Sequence, residues 1–239
     1  MTQPFRKGVS CIYQPASWPG VRFEYEPSGI AVRGMDGYRC ASSAFYNGGI
    51  REASAILNRR VPLTYLCDDP VREMHAYLQG VGMDCQRTIG LLTAAKLTHA
   101  SIVDVSGDWY KLAVCTTAGT RNAAKAGTGR ETYPAYHPGT INTIVMVDAR
   151  MTDGAMLNAI MTATEAKAAA LRDADIRDEA DPSLQATGTT TDACVIAVSQ
   201  RADHPVVHAY AGCASDIGNA IGRLVYASVT EAVRTQHEA

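Results

Sequence analysis

The residues best suited to chemistry in this 239-residue chain are gathered in four short polar segments. Each segment combines Gly with Ser, Thr, Asn or Asp at the end of a predicted strand. Glycine lets a backbone approach a ligand closely, and its N–H groups can bind an anion. Asn and Thr side chains both donate and accept hydrogen bonds, as recognition of carboxamides requires. The segments are residues 42–49 (SSAFYNGG), 116–127 (TTAGTRNAAKAG), 138–142 (PGTIN) and 187–192 (TGTTTD).

Each segment has an alternative interpretation as a plain turn, because Gly, Asn, Asp and Thr are the residues that tight turns favour. Four such segments in one chain nevertheless favour a polar pocket that recognises amides. A further candidate is Glu165, which lies beside the apolar stripe of a predicted helix. Partial burial there would suit a general acid or base, whereas full exposure would make Glu165 part of an ordinary solvated helix face.

Charge and missing motifs exclude several classes of function. The chain has 22 Lys and Arg against 24 Asp and Glu, a formal charge of −2, so it has no basic surface for nucleic acid. GxSxG, HExxH, P-loop and GxGxxG motifs are missing from the sequence. His204 and His208 lie on a predicted strand about 13 Å apart, too far to share one metal ion. We therefore expect a small-molecule partner and no bound metal.

Cysteine usage and hydropathy predict the compartment. The seven cysteines are scattered, with no CxxC pair, as expected of reduced thiols in a cytoplasmic protein. The N-terminal residues lack the apolar region of a signal peptide, and no apolar run approaches the length of a membrane span. The sequence thus predicts a cytoplasmic protein without a membrane partner.

Hydrophobic periodicity predicts the elements that must position the polar segments. Three helices are expected, at residues 69–80, 153–173 (with Asp153 as N-cap) and 215–235, and residues 50–58 are interpreted as one or two helical turns. Residues 30–34 and 38–45 are expected to pair as two strands through a turn at 35–37. The other predicted strands are residues 21–25, 88–95, 100–105, 110–117, 141–148, 193–199 and 205–209.

This mixture predicts an α+β or α/β fold with a mixed or largely antiparallel sheet covered by helices. We expect a loop-rich lead-in over residues 1–28 and a single domain over residues 29–236.

Several of these segments, taken in order, resemble the adenosylcobinamide amidohydrolase family of corrinoid salvage. The similarity runs from about Gly29 to the C-terminal helix, and a series of long segments is more specific than any single motif. The segments are residues 42–49, 90–95 (GLLTAA), 116–127, 139–171 (GTINTIVMVDARMTDGAMLNAIMTATEAKAAAL) and 186–197 (ATGTTTDACVIA).

The resemblance implies hydrolysis of the amide that joins the aminopropanol arm to a propionate chain of the corrin ring. The products would be adenosylcobyric acid, which enters cobalamin synthesis, and an amino alcohol. The cobalt-containing corrinoid is then the substrate, and no separate cofactor is expected. The alternative is a non-catalytic corrinoid-binding carrier or sensor, and either protein could form a homo-oligomer.

The residues suggest two mechanisms for this chemistry. We favour direct attack by water, with Glu165 or Asp192 as the base and Asn47, Asn122 and Asn142 as amide or oxyanion donors. The rival is an N-terminal threonine freed by self-cleavage at Gly139–Thr140 or Gly188–Thr189. The expected substrate-binding residues are Ser43, Asn47, Gly48, Gly49, Asn122, Thr140, Asn142, Thr164, Lys167, Thr189 and Thr191.

These residues should converge on one pocket, because antiparallel neighbours bring the starts and ends of strands to the same edge of a sheet. Glu165 should then lie near Asp192, so that their like charges favour keeping one proton between them.

Overall fold

The structure of the protein, a computed structural model, describes residues 2–8, 10–130 and 139–238. The α-helices of these residues are α1 (Pro70–Gly80), α2 (Asp153–Asp173) and α3 (Asp216–Thr235), and Arg6–Gly8 and Leu97–His99 form short 3₁₀ turns. The strands are β1 (Ile12–Tyr13), β2 (Arg22–Glu26), β3 (Gly29–Arg33), β4 (Tyr38–Ser42), β5 (Gly49–Ala53), β6 (Ala55–Arg60), β7 (Thr88–Thr93), β8 (Ser101–Ser106), β9 (Lys111–Gly119), β10 (Ala123–Ala124), β11 (Thr140–Asp148), β12 (Arg150–Met151), β13 (Gly188–Thr189), β14 (Ala193–Val198) and β15 (Val207–His208).

Most strands belong to two sheets. The first sheet has the order β1-β2-β3-β6-β7, and the second has the order β5-β4-β14-β11-β9-β8. Two further two-stranded sheets pair β10 with β13 and β12 with β15. The pairs β6–β7, β11–β14 and β12–β15 are parallel, and the other pairs are antiparallel. Both large sheets are therefore mixed, as the sequence predicts.

Strand β11 at the centre of the second sheet is buried on both faces. Successive side chains of a strand point to opposite faces, so Ile144 and Met146 pack between the two sheets while Val145 and Val147 pack against α2 and α3. Met74 of α1 belongs to a third cluster on the outer face of the first sheet. The layers are thus α1, first sheet, second sheet, and α2 with α3. This arrangement confirms a single α+β domain whose mixed sheets are covered by helices.

All three predicted helices are present, and each begins at a side-chain cap. Asp69 caps α1 and Ser215 caps α3. The predicted cap of α2, Asp153, is wrong by one residue. Thr152 caps α2, because its Oγ1 accepts a hydrogen bond from the backbone N–H of Ala155 at 3.1 Å, and Asp153 is the first helical residue.

Two expectations about residues 30–58 are wrong. The strands β3 and β4 do not pair, because they lie in different sheets. Met35 and Tyr38 pack in the core between the sheets, so their connection crosses from one sheet to the other. Residues 50–58 form β5 and most of β6 rather than helical turns. Ile56 packs between the sheets and Leu57 packs toward α1, so this strand is apolar on both faces.

The N-terminal residues contribute to the first sheet. Strand β2 pairs with β3 over five residues, across the division that the sequence suggests at residue 28, and Phe23 is fully buried. The lead-in therefore holds two strands where one was expected, while the domain boundary itself stays a prediction. Among the described residues, no helix is both long and apolar enough to cross a membrane.

Candidate active site

Four strand ends meet at one edge of the second sheet. Thr140 at the start of β11 pairs with Gly119 at the end of β9, and Asn142 pairs with Ala193 at the start of β14. The end of β4 lies on the far side of β14, since Ser42 pairs with Val195. Starts and ends of strands thus share this edge, which confirms the predicted arrangement.

A cavity of about 170 Å³ opens at this edge. Its polar lining comes from three of the four polar segments and from Thr93 at the end of β7, and its apolar lining comes from the first sheet, the connection to α1 and the first polar segment. The polar residues are Ser43, Thr93, Thr140, Asn142, Thr191 and Asp192, and the other lining residues include Phe45, Val61, Tyr65, Leu91 and Leu92. We call this space the arm cavity.

A chain of buried hydrogen bonds holds the floor of the arm cavity. Asn142 Nδ2 donates to Asn58 Oδ1 and to the Leu92 carbonyl, both at 2.8 Å. Asn58 Nδ2 in turn donates to Thr117 Oγ1 at 2.9 Å. Because both amide hydrogens of Asn142 are used in this way, its Oδ1 is left to accept from Thr140 Oγ1 at 3.1 Å. The network fixes the Thr140 hydroxyl against both sheets.

A second set of hydrogen bonds converges on the peptide that precedes β11. Thr191 Oγ1 donates to the Gly139 carbonyl at 2.5 Å. Asn122 Nδ2 lies 2.7 Å from Thr190 Oγ1 and 3.4 Å from Thr191 Oγ1. Asn122 is not among the residues that line the arm cavity, but it supports Thr191, which is.

Asp192 is held by four donors. Its Oδ1 accepts from the Ile141 backbone N–H at 2.9 Å and from Thr189 Oγ1. Its Oδ2 accepts from the Thr189 backbone N–H at 3.0 Å and from Lys167 Nζ. A carboxylate offers about four lone-pair sites, and these four contacts occupy them. The arrangement fits a positioning role better than the predicted role as a base.

A second cavity of about 250 Å³ adjoins the first on the side of α2. Ser43, Asp192 and Ala193 line both cavities, and Thr164 and Lys167 line only the second. Ser43 is exposed between the cavities, and its Oγ accepts from the Cys194 backbone N–H at 3.0 Å. Burial raises the pKa of the Cys194 thiol to about 12, so this thiol in the second cavity is protonated at neutral pH.

The outer wall of the arm cavity is fixed by an ion pair. Tyr65 Oη donates to Glu73 Oε2 at 2.7 Å, and Glu73 Oε1 lies 2.7 Å from Arg59 Nη1. Burial and the Glu73 carboxylate raise the pKa of Tyr65 above its usual range. The Tyr65 ring is therefore a neutral, anchored part of the wall. Leu63 and Leu66 on either side of it are exposed.

Several predicted site residues lie elsewhere. Asn47 has a positive φ of 54° in a turn, and its Nδ2 donates to the carbonyls of Cys85 and Thr88. It acts as a turn residue, and Gly48 and Gly49 beside it do not line either cavity. Glu165 is exposed on α2 and also lines neither cavity. The charged partner of Asp192 is Lys167, and the expected proximity of Glu165 to Asp192 stays a prediction.

Sequence reasoning missed Asn58 and Tyr65, and it included Thr117 in the second polar segment without assigning it a role. An Asn within the apolar run AILN would have signalled a buried polar contact if residues 55–58 had been interpreted as a strand. Tyr65 lies in a connection without periodicity, so no sequence signal marks it. Pro138, in the third polar segment, lies outside the described residues. Among the described residues, no group of three or more His, Cys, Asp or Glu side chains is placed to hold a metal ion.

Comparison with known proteins covers most of the chain. A protein of Methanocaldococcus jannaschii that is named only as uncharacterized is 30% identical over 209 residues, which are 79% of this chain and 80% of that protein. A Methanosarcina mazei protein named adenosylcobinamide amidohydrolase is 28% identical over 204 residues, which are 83% of this chain and 92% of that protein. The crystal structure of the PH0078 protein from Pyrococcus horikoshii OT3 covers 87% of this chain and 77% of its own, with 11% identity and a TM-score of 0.40, a likeness too low to support an inference.

The family comparison agrees with the resemblance seen in the sequence. The model of the adenosylcobinamide amidohydrolase family matches residues 19–239 and so includes every residue of the arm cavity. The chain therefore belongs to the adenosylcobinamide amidohydrolase family.

Proposed function

We propose that this protein hydrolyses the amide between the aminopropanol arm and the corrin ring of adenosylcobinamide, and that the products are adenosylcobyric acid and aminopropanol. The observation that carries the proposal is the family match over residues 19–239 together with the arm cavity that its polar segments build. The Methanosarcina mazei relative bears the name of this activity. We further propose that the reaction serves cobalamin salvage in the cytoplasm and uses no resident metal.

The size of the arm cavity supports recognition of the arm rather than of the ring. Pockets that enclose whole ligands usually measure about 300–1,000 Å³, whereas the arm cavity measures about 170 Å³. That volume suits the aminopropanol chain and its amide, and the far larger corrin ring would lie across the mouth. The exposed side chains of Phe45, Leu63 and Leu66 offer apolar surface near this mouth.

The lining of the arm cavity supports amide chemistry. Hydrolysis needs a nucleophile, donors for the oxyanion and a proton for the departing amine. Glu165 lies outside the cavities, and the carboxylate of Asp192 already accepts from four donors. A hydroxyl of the cavity is therefore a better candidate nucleophile than a water activated by either carboxylate. The residues of the cavity that carry hydroxyls are Ser43, Tyr65, Thr93, Thr140 and Thr191.

Product analysis tests the proposed function. Purified protein is incubated with adenosylcobinamide, and released aminopropanol is measured by mass spectrometry. We expect release that increases with time and protein concentration and that survives dialysis against a chelator. Tight binding of the corrinoid without release would contradict the proposal and favour the corrinoid-binding carrier or sensor.

A further inference from the structure

We infer that the chain cleaves itself between Gly139 and Thr140, and that the freed N-terminal Thr140 supplies the nucleophile for amide hydrolysis. The second half of this inference rests on the proposed function. The cleavage itself does not, because it involves only groups of this chain. Three features of the described residues support it: a polarised carbonyl, a hydroxyl beside it, and a glycine that the Asn122 side chain closely approaches.

The carbonyl of Gly139 is already bound by a hydroxyl donor. Thr191 Oγ1 donates to it at 2.5 Å. Thr191 Oγ1 itself lies 3.4 Å from Asn122 Nδ2. A donor aimed at a carbonyl oxygen stabilises the negative charge that develops there when a nucleophile attacks the carbon. Thr191 thus occupies the place of an oxyanion donor for the peptide that joins Gly139 to Thr140.

The hydroxyl of Thr140 is oriented by acceptors alone. Its Oγ1 lies 3.1 Å from Asn142 Oδ1 and 2.9 Å from the Thr191 carbonyl. Because neither acceptor can donate to Oγ1, the hydroxyl hydrogen points toward one of them and the oxygen lone pairs stay available. Thr140 also lines the arm cavity, the space assigned to the substrate amide.

The Asn122 side chain closely approaches Gly139. A Cβ built on Gly139 would lie 2.2 Å from Asn122 Oδ1, so any side chain would displace Asn122 from the junction. The other candidate junction, Gly188–Thr189, lacks this combination. Thr189 Oγ1 donates to Asp192, and Thr189 lines neither cavity. The geometry therefore favours the first junction over the second.

The cleavage balances with one water. Thr140 Oγ1 attacks the Gly139 carbonyl carbon, the C–N bond between the two residues breaks, and the hydroxyl proton passes to the departing Thr140 nitrogen. The resulting ester between Gly139 and Thr140 Oγ1 is hydrolysed by water. The products are a carboxylate at Gly139 and a Thr140 with a free amine and a free hydroxyl.

The new α-amino group then serves the proposed reaction. A free amine on the same residue is the base that N-terminal threonine nucleophiles use. It accepts the Oγ1 proton as Oγ1 attacks the substrate amide, and it returns a proton to the departing aminopropanol. Water hydrolyses the acyl ester on Oγ1 and releases the corrinoid acid.

Intact-mass spectrometry of the purified protein tests the cleavage. We expect two fragments that copurify, residues 1–139 and 140–239, with a summed mass one water greater than that of the uncut chain. N-terminal sequencing of the smaller fragment should begin with TINTI. A wild-type chain that stays intact and still releases aminopropanol would overturn the inference while leaving the proposed function in place.

Variants are made by cell-free translation, and the rate at which each new chain is cut is measured. Thr140→Ala should stay uncut and inactive, whereas Thr140→Ser should be cut at the same bond. Thr191→Val should slow cleavage by about 10²–10³-fold, the usual loss when one oxyanion donor is removed. Thr162→Val is the matched control. The buried hydroxyl of Thr162 in α2 also donates to a backbone carbonyl, that of Ala211, at 2.8 Å, and Thr162 lines neither cavity.

The outcomes separate the two proposals. Cleavage of the Thr140→Ala chain at the same bond, or equal cleavage rates for Thr191→Val and Thr162→Val, would overturn the self-cleavage. Correct fragments without aminopropanol release would support self-cleavage and contradict the proposed function. Circular dichroism of each variant shows that an uncut chain is folded, so a loss of cleavage is not a loss of structure.

Discussion

Replacing Asp192 by Asn should destabilise the protein more than replacing its partner Lys167 by Met, and the two effects should not add. Asp192 joins the start of β11, the turn at Thr189 and helix α2 through its four donors. An Asn presents one acceptor oxygen and an NH₂ group in place of the second oxygen. That group cannot accept from Lys167, which would keep its charge without a partner.

The burial of the pair sets the expected magnitude. The Lys167 and Asp192 side chains are 14% and 13% exposed, between a surface pair and a fully buried one. Surface pairs are worth about 0–1 kcal/mol, and breaking a buried pair costs about 3–5 kcal/mol. We expect Asp192→Asn to cost about 3 kcal/mol and Lys167→Met about 1–2 kcal/mol, because Asp192 keeps three donors without Lys167. The coupling between the two changes should be about 1–2 kcal/mol.

Urea unfolding of the wild type, both single variants and the double variant measures this coupling. The exposed pair between Arg39 and Asp153, at the start of the same helix, is the matched control and should show no measurable coupling. Additive effects of Asp192→Asn and Lys167→Met would refute the reasoning, since they would mean that the two side chains contribute independently. A coupling as small as that of the control pair would do the same.

Three other changes have defined outcomes. Asn142→Leu should lower the free energy of unfolding by about 3 kcal/mol, because it leaves several buried groups of the cavity floor without partners; urea unfolding measures this loss. Tyr65→Phe should raise KM for adenosylcobinamide about tenfold with little change in kcat, because it frees the wall from Glu73; an equal fall in kcat would place Tyr65 in the chemistry instead. Although burial opposes it, hydrogen bonds from the Lys125 backbone and Arg130 lower the pKa of Asp178 to about 2. A lowered pKa stabilises the fold above the usual carboxyl pKa near 4, so a contribution of at most about 2 kcal/mol should be lost between pH 4 and pH 2 in the wild type and be missing at every pH in Asp178→Asn; urea unfolding across this range checks it.

Sequence patterns predicted two kinds of element: helices with one buried and one exposed face, and strands formed by a long continuous apolar run. Strand β11 and helices α2 and α3 agree with the predicted ranges to within a residue at each end. The segment 50–58 failed for a physical reason. Its strand β6 is apolar on both faces because it lies between α1 and the second sheet, and periodicity cannot distinguish such a strand from a buried helix.

Composition alone could not separate site residues from turn residues. Asn47 and Asn142 belong to similar Gly-containing segments, yet Asn47 binds backbone carbonyls in a turn while Asn142 supports the arm cavity. The difference arises from pairing between strands that are distant in sequence, which no local pattern records. The same holds for Lys167, whose partner Asp192 lies 25 residues away.

The parallel pairing of β11 with β14 also sets an order of events during synthesis. Gly139 meets Thr191 only across this pairing, and the two contacting residues are 52 positions apart. Contacts between distant residues form after the intervening chain is available and its closure entropy has been overcome. A ribosome must therefore have released the chain beyond β14 before the Gly139 carbonyl receives its donor. In the nascent chain the peptide between Gly139 and Thr140 is thus an ordinary peptide bond. The Gly139 carbonyl receives the Thr191 hydrogen bond only when β14 has paired with β11 in the second sheet.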